Sequence, residues 1–503
     1  MKNGRTKKSI INIGFNLTNQ IITLALSFIS RTVFIYTLGV EYLGINGLFT
    51  DVLGILSMAD LGFNTAMVYS FYKPLANNDI KKLTSLTTFY KRVYNIIAIV
   101  ITIIGISIIP FINLIVKTEK EIPLLKVYYL FSLVGIVISY LFVYKTSIVT
   151  ADQNNYVITR ISIIFSLIQT VTQIIVLLVL HSYLSYLAVG IVIKFLNNFV
   201  ASKKAVNLYP FINEQQSLDK KSIGEILENL KSVFIYKVSS VLLNATDNII
   251  ISFLLGTALV GYYSNYLMLN NKIIAIFSLL FTSVTASIGN LIVKDSPQKR
   301  YEIFECEQSI SFIFCCVIIP CYVNLVNDLI NIWLGAEYQL DINIVIIIAL
   351  NLYLSCVMQP LWSYREATGL YQKTKWIMLI AAVINVILSV FLGMLVGIGG
   401  VLLAYVIARI STYVWYEPKL LFGEYFNKKA NRYFVSLLKN LLFVFCIIYI
   451  LFYFNKFFYV DSWFMLFLKG IFYIVITILL SLILYSHDKG FKILVSKIKQ
   501  KVK

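Results

Sequence analysis

The chain has 503 residues, 59% hydrophobic and 13% charged, with a formal net charge of +19 and a mean hydropathy of +0.81. A soluble domain carries about 25% charged residues, so this composition excludes one and predicts an all-α integral membrane protein. The positive balance does not point to nucleic acid either, because the basic residues follow the loops.

A bilayer-crossing helix needs about 20 apolar residues, and about fourteen such runs are present. They lie near 9–37, 44–72, 87–116, 126–150, 156–181, 183–203 and 231–255. The rest lie near 261–292, 308–334, 342–364, 374–396, 399–417, 433–454 and 463–486. The first run is too long for a signal-peptide core and ends in no small-residue cleavage pattern, so it reads as a retained span. Assigned alternately to two sides, one set of loops holds Lys7, Lys8, Lys81, Lys82, Lys203, Lys204, Lys220, Lys221, Lys299, Arg300, Lys373, Lys428 and Lys429. The other holds little beyond Lys117, Lys120, Lys126 and Lys456. That asymmetry predicts both termini on the cytoplasmic side of a plasma membrane.

Run 1 carries Asn12, Asn16, Asn19, Thr23, Ser27 and Ser30 at three- and four-residue spacing, a polar stripe that faces protein or water rather than lipid. It leads into RTVFIYTLGVEYLGINGLF (31–49), which returns as DNIIISFLLGTALVGYYSNY (247–266). Leu38, Gly39 and Gly44 match Leu255, Gly256 and Gly261, and an offset of roughly 215 residues recovers further echoes. Pro110 in run 3 echoes Pro320 in run 9, and matched bends are expected there. The turn at Thr150–Asn154 echoes Thr368–Gln372, and Lys194 in run 6 echoes Arg409 in run 12. Six runs separate the repeats, so they are parallel and related by an axis along the membrane normal. The expected layout is an N-lobe (1–206), a cytoplasmic linker helix (207–230), a C-lobe (231–422), two added spans (423–486) and a basic amphipathic tail (487–503).

Arg31, Lys194, Lys272 and Arg409 fall within apolar runs, as do Asp60 and Asp247. Each charge costs about 2.5–3.5 kcal/mol at mid-bilayer, so four cations facing lipid would cost roughly 10–14 kcal/mol. Two carboxylates at similar depth leave a positive surplus, which predicts a cationic aqueous cavity between the lobes and an anionic substrate. Arg31 can instead snorkel outward, and Lys272 can pair with Asp60 or Asp247. The two aspartates read equally as structural counter-ions or as coupling-ion sites. Arg365–Glu366 reads as a membrane-edge pair. Tyr36, Tyr42, Tyr262, Tyr263, Tyr266 and Trp333 read as an interfacial belt, with stacking on sugar rings as the alternative. Cys306, Cys315, Cys316 and Cys321 read as small apolar packing residues.

The stretch RTVFIYTLGVEYLGINGLFTDVLGILSMADLG, then YSFYKPLANNDIKKLTSLTTFYKRVY and TADQNNY, resembles the Wzx-type polysaccharide flippases of the multidrug/oligosaccharidyl-lipid/polysaccharide exporter (MOP) superfamily. The resemblance covers essentially the whole chain. It implies a bilobed, alternating-access transporter of undecaprenyl-diphosphate-linked oligosaccharide, serving capsule, exopolysaccharide or O-antigen assembly. On this reading the four cations contact the diphosphate. No cofactor is expected beyond H+ or Na+ as a coupling ion. A monomer is expected, with a polymerase and glycosyltransferases as candidate partners. Lipid II flippases and cation-exporting multidrug antiporters are the neighbouring readings. A membrane polysaccharide polymerase or lipid-linked glycosyltransferase is disfavoured by short outer loops, isolated His181 and His487, and the absence of D-x-D, P-loop, H-E-x-x-H and G-x-S-x-G motifs.

Overall fold

The computed structural model describes residues 2–60, 63–118 and 121–502, and among them there are helices but no strand. The chain divides into two compact units, Met1–Ser264 and Asn265–Lys503. The first contains α1 (Lys2–Leu38), α2 (Val40–Leu56), α3 (Phe63–Ala76), α4 (Ile80–Ile108), α5 (Ile112–Ile115), α6 (Leu125–Tyr140), α7 (Val143–Ala151), α8 (Asn155–Leu180), α9 (Tyr183–Leu208) and α10 (Lys220–Leu255). The unit boundary falls inside α11 (Thr257–Lys294). The second contains α12 (Pro297–Leu334), α13 (Ile342–Val357), α14 (Gln359–Thr368), α15 (Tyr371–Val396), α16 (Ile398–Ile410), α17 (Tyr413–Leu421), α18 (Asn431–Phe454), α19 (Trp463–Tyr485) and α20 (Lys489–Val502).

Among the described residues ten helices are long and apolar enough to cross a membrane, and α6–α7 and α13–α14 add two bent pairs. The two further apolar runs lie on α11 and on α2–α3. The latter pair is interrupted by a 3-10 turn at Ser57–Asp60. The termini of these helices are written locally. Asp79 accepts from Lys82 N at 2.9 Å to start α4, and Asp219 accepts from Ser222 N at 2.9 Å to start α10.

The duplication read from sequence is also a repetition of backbone. Gly39 (φ 91°) and Gly256 (φ 103°) both stand where a helix ends and the next begins, in a region that a β-carbon disfavours. Gln153 (φ 60°) pairs in the same way with Gly369 (φ 70°), while His181 and Gly397, at a third matching pair of helix ends, share a positive φ (47° and 71°) but not ψ (36° against −146°). The second glycine of each motif is needed for close approach. A β-carbon on Gly44 would strike the backbone carbonyl of Thr257, and one on Gly261 would strike that of Val40. The two copies therefore grip each other reciprocally.

Three expectations are revised. Pro110 does interrupt its helix, within a 3-10 turn at Ile109–Phe111, but α12 runs through Pro320 without a break. Beside Pro320, Cys321 Sγ lies 3.7 Å from Thr477 Oγ1 of α19, and Asn324 Nδ2 donates to Pro320 O at 3.0 Å. The matched bends sit elsewhere, at 49° between α6 and α7 and 41° between α13 and α14. Pro360 in the first turn of α14 marks the second, since proline has no N–H to continue the hydrogen-bond ladder from α13. The linker does not form a separate helix, because α10 runs from Lys220 into the following span with no Gly or Pro between Gly224 and Gly256 to stop it.

Candidate functional site

The polar stripe of α1 is half-buried along its length, and its first residue bonds to the rest of the unit. Asn12 Nδ2 donates to Gln153 O at 2.9 Å, and its Oδ1 accepts from Tyr156 N at 2.8 Å, tying α1 to the α7–α8 turn. Nearer the end of α1, Arg31 Nη1 donates to Ser264 Oγ at 3.1 Å, and Ser264 donates to Gly261 O at 2.7 Å. Arg31 is thus fastened to the glycine crossing, which explains why a guanidinium persists in an apolar helix. Beside it Phe34, Tyr42, Tyr128, Tyr183 and Tyr186 form an edge-to-face aromatic cluster, with Tyr128 and Tyr183 centroids 4.9 Å apart.

Lys194 on α9 is half-buried and makes no hydrogen bond or ion pair among the described residues. Its counterpart in the repeat, Arg409 on α16, is 1% exposed. Arg409 Nη1 donates to Asn351 O and Ser355 Oγ, each at 3.1 Å, and the guanidinium lies 5.1 Å from the Tyr405 ring and 5.8 Å from that of Tyr413. No carboxylate pairs with it among the described residues. Lys272 on α11 is half-buried. Arg31 and Lys194 thus belong to the first unit, and Lys272 and Arg409 to the second.

Asp60 closes the 3-10 turn after α2, and its side chain lies outside the described residues. Asp247 is buried at 7% exposure on α10. The neighbouring Asn248 donates to Asp51 Oδ2 at 2.5 Å, so a carboxylate absent from the sequence reading joins α2 to α10.

The positive surplus is smaller than two carboxylates implied. Glu417 is buried and pairs with Arg365 at 2.7 Å, with Trp362 and Tyr371 rings flanking the guanidinium. Arg365 thus has an ion-pair partner that is distant in sequence, on α17. Lys469, another cation within an apolar run, pairs with Asp328 at 2.6 Å. Glu307, also buried, stands just before the run that marked its helix, because α12 begins eleven residues earlier than that run. The aromatic belt holds for Tyr36, 70% exposed, whereas Tyr263, Tyr266 and Trp333 are buried. The four clustered cysteines are buried as well.

The family described as "Polysaccharide biosynthesis protein" matches residues 38–342. No curated protein matches the chain. Among solved structures the chain is similar to a lipid II flippase, MurJ, in an inward closed conformation, with a TM-score of 0.68 and 16% identity over 94% of this chain and 98% of that one. It is similar to an inward-facing multidrug resistance MATE transporter of the MOP superfamily, with a TM-score of 0.58 and 12% identity over 80% and 97% of the two chains. It is also similar to a MOP superfamily transporter from Pyrococcus furiosus described as having a binding pocket of reverse polarity, with a TM-score of 0.55 and 14% identity over 81% and 93%. At these identities the likeness establishes the fold alone, the helical fold that these structures share.

Proposed function

This chain belongs to the polysaccharide biosynthesis protein family, and on that premise we propose that it is a flippase for undecaprenyl-diphosphate-linked oligosaccharide, moving it from the inner to the outer leaflet of a bacterial plasma membrane. The observation that carries this reading is Lys194, a half-buried cation in a spanning helix with no partner of its own among the described residues. An ammonium left without a counter-ion in an apolar setting is unfavourable unless a ligand supplies the negative charge. A diphosphate does so, while the polyprenyl tail stays in the bilayer and the sugars pass through water. Arg31, in the same unit as Lys194, is a further cation we assign to that anion. Arg409 is already bonded to Asn351 and Ser355, and we assign it to holding α13 against α16. Asp247, with Asp51 and Asn248 beside it, is the place to look for ion coupling. The reading places both termini in the cytoplasm, by the distribution of Lys and Arg over the loops.

The test is a strain lacking the gene, analysed for lipid-linked oligosaccharide. The expected outcome is a polyprenyl-diphosphate oligosaccharide accumulating on the inner leaflet, cleared by the intact gene but not by one encoding Lys194→Ala at equal expression. Unchanged surface glycan with raised retention of cationic dyes would replace the flippase by a cation exporter.

A further inference from the structure

Away from every residue discussed so far as a substrate contact, the second unit contains a cavity of about 380 Å³. Its walls are the first half of α12, the start of α18, the end of α19 and the first turn of α20. The walls are fixed. Asn440 Nδ2 on α18 donates to Phe312 O on α12 at 3.2 Å and to Tyr485 Oη on α19 at 2.7 Å. Asp488 accepts from Ser309 Oγ at 2.6 Å and from Phe491 N at 3.1 Å, which starts α20 and docks it on α12. Gly490 completes the joint, since a β-carbon there would strike the Glu305 carbonyl and the Ser309 hydroxyl. The tail helix is therefore a built wall at its first turn.

Two polar side chains lining this cavity are more than nine-tenths buried and unsatisfied. Gln308, 6% exposed, has neither Nε2 nor Oε1 hydrogen-bonded, and Tyr433, 4% exposed, has a free hydroxyl. Leaving such groups unpaired costs about 1–3 kcal/mol each, so they mark a place where a polar ligand belongs. Gln308 offers a donor and an acceptor side by side, which a ligand hydroxyl satisfies together. Arg432 and Lys439, two helical turns apart on α18, line the same cavity and form no ion pair among the described residues. Of the two carboxylates present, Asp488 is engaged by Ser309 and Phe491, and Glu305 faces Lys489 at 3.9 Å. Cationic side chains without counter-ions call for an anion. The lining also includes Val435 and Leu484, 54% and 37% exposed on helices long and apolar enough to span, so the cavity opens beside a surface made for acyl chains.

We infer that this cavity is a second, non-transport site that seats the headgroup of an anionic phospholipid bearing free hydroxyls, of the phosphatidylglycerol type. The phosphate lies between Arg432 and Lys439, the headgroup hydroxyls meet Gln308 and Tyr433, and the acyl chains run along α18 and α19. A choline headgroup would bring a cation toward two cations and offer Gln308 no hydroxyl.

The experiment uses the full-length protein in neutral detergent, with bound lipid counted by native mass spectrometry. Dioleoyl phosphatidylglycerol should bind at one site at least about tenfold more tightly than dioleoyl phosphatidylcholine. Arg432→Gln with Lys439→Gln, both on exposed side chains, should remove that preference, while Lys203→Gln with Lys204→Gln on the first unit should leave it intact. Gln308→Leu should weaken phosphatidylglycerol several-fold yet leave phosphatidic acid, which lacks headgroup hydroxyls, unchanged. Equal binding of the two lipids, full binding by the Arg432/Lys439 variant, or equal loss in the Lys203/Lys204 variant would overturn the site. Displacement of the lipid by an equal concentration of glycerol 1-phosphate would overturn the lipid as its ligand and identify a soluble phosphate instead.

Discussion

The two units carry a turn and a helix bend at matching places, Gln153 with Gly369 and α6–α7 with α13–α14, but house their cations differently. In the second, Arg409 is enclosed by Asn351, Ser355 and two tyrosines, Arg365 meets Glu417, and Lys469 meets Asp328. In the first, Lys194 occupies the place that answers to Arg409 and has no partner among the described residues. The turn and the bend are shared because they set how helices end and cross. The charges are not bound by that geometry, so one copy could turn its cation into packing while the other left it available. The comparison teaches that a charge at a symmetric position is not thereby functional. Its partners decide.

The largest effect that would sharpen this contrast is expected at Arg365. Its ion pair with Glu417 is nearly sealed, with side chains 8% and 4% exposed. Removing one member of a buried pair leaves the other charge uncompensated and costs about 3–5 kcal/mol. Arg365→Ala should therefore lower the detergent melting temperature sharply, and a double variant with Glu417→Gln should recover much of the loss. No recovery in the double variant would show that the flanking rings, not the charges, make the contact.

Arg409 comes next, and here opposing terms must be weighed. Arg409→Ala removes hydrogen bonds from a charged donor, about 1.5–3 kcal/mol each, and a desolvated cation–π contact of about 2 kcal/mol. It also relieves a buried cation that would cost about 2.5–3.5 kcal/mol at mid-bilayer. With two such hydrogen bonds the balance is a loss of roughly 1.5–5.5 kcal/mol. Arg409→Lys should not restore it, because one ammonium cannot reach Asn351 and Ser355 and also stack between two rings. A lysine variant as stable as the parent would remove the packing role assigned to this arginine.

How far the sequence led is clear from these same residues. The apolar runs, the paired glycine motifs and the break at Pro110 were legible because each is a local property of composition or backbone. The partners were not. Arg365 finds Glu417 fifty-two residues away and Lys469 finds Asp328 across 141, and no periodicity links such positions. Asp51 escaped notice for the same reason, since its partner Asn248 belongs to another helix in the opposite copy of the repeat. The bend at α6–α7 carries no proline and had no local sign. The unsatisfied Gln308 was equally invisible, because an orphaned hydrogen bond is a property of surroundings.

A smaller effect is expected in the first unit where α10 begins. Lys82 Nζ donates to Asp219 Oδ1 at 2.9 Å, and Asp219 caps Ser222 N. The Lys82 hydrogen bond first, then the cap, holds the Asp219 carboxyl well below the usual carboxylate range. A depressed folded pKa stabilises above the unfolded value of about 4 and loses that contribution as pH falls below it. The pair is exposed, so the change should be confined to the first turn of α10. Proteolytic nicking near 214–219 should rise on acidification below about pH 4. Asp219→Asn retains a capping side chain, so the variant should nick slightly faster at neutral pH and lose the Asp219 contribution to the acid dependence. An unchanged pH profile in the variant would assign it to another group.

The smallest effect on stability is expected at Lys194, and it separates the two units most directly. A half-buried ammonium without a partner has lost hydration and gained no bond in return. Lys194→Ala should therefore lie within about 0.5 kcal/mol of the parent, and Lys194→Met, which keeps the apolar stem, should match or exceed it. Both should nevertheless lose transport of the lipid-linked oligosaccharide, whereas Lys194→Arg keeps the charge and should retain part of it. Stability and activity would then part company at Lys194 and move together at Arg409. If Lys194→Ala instead destabilises the protein as much as Arg409→Ala, the lysine has a structural partner in the state that matters. The asymmetry between the copies would then vanish, and Lys194 would no longer be the residue that holds the diphosphate.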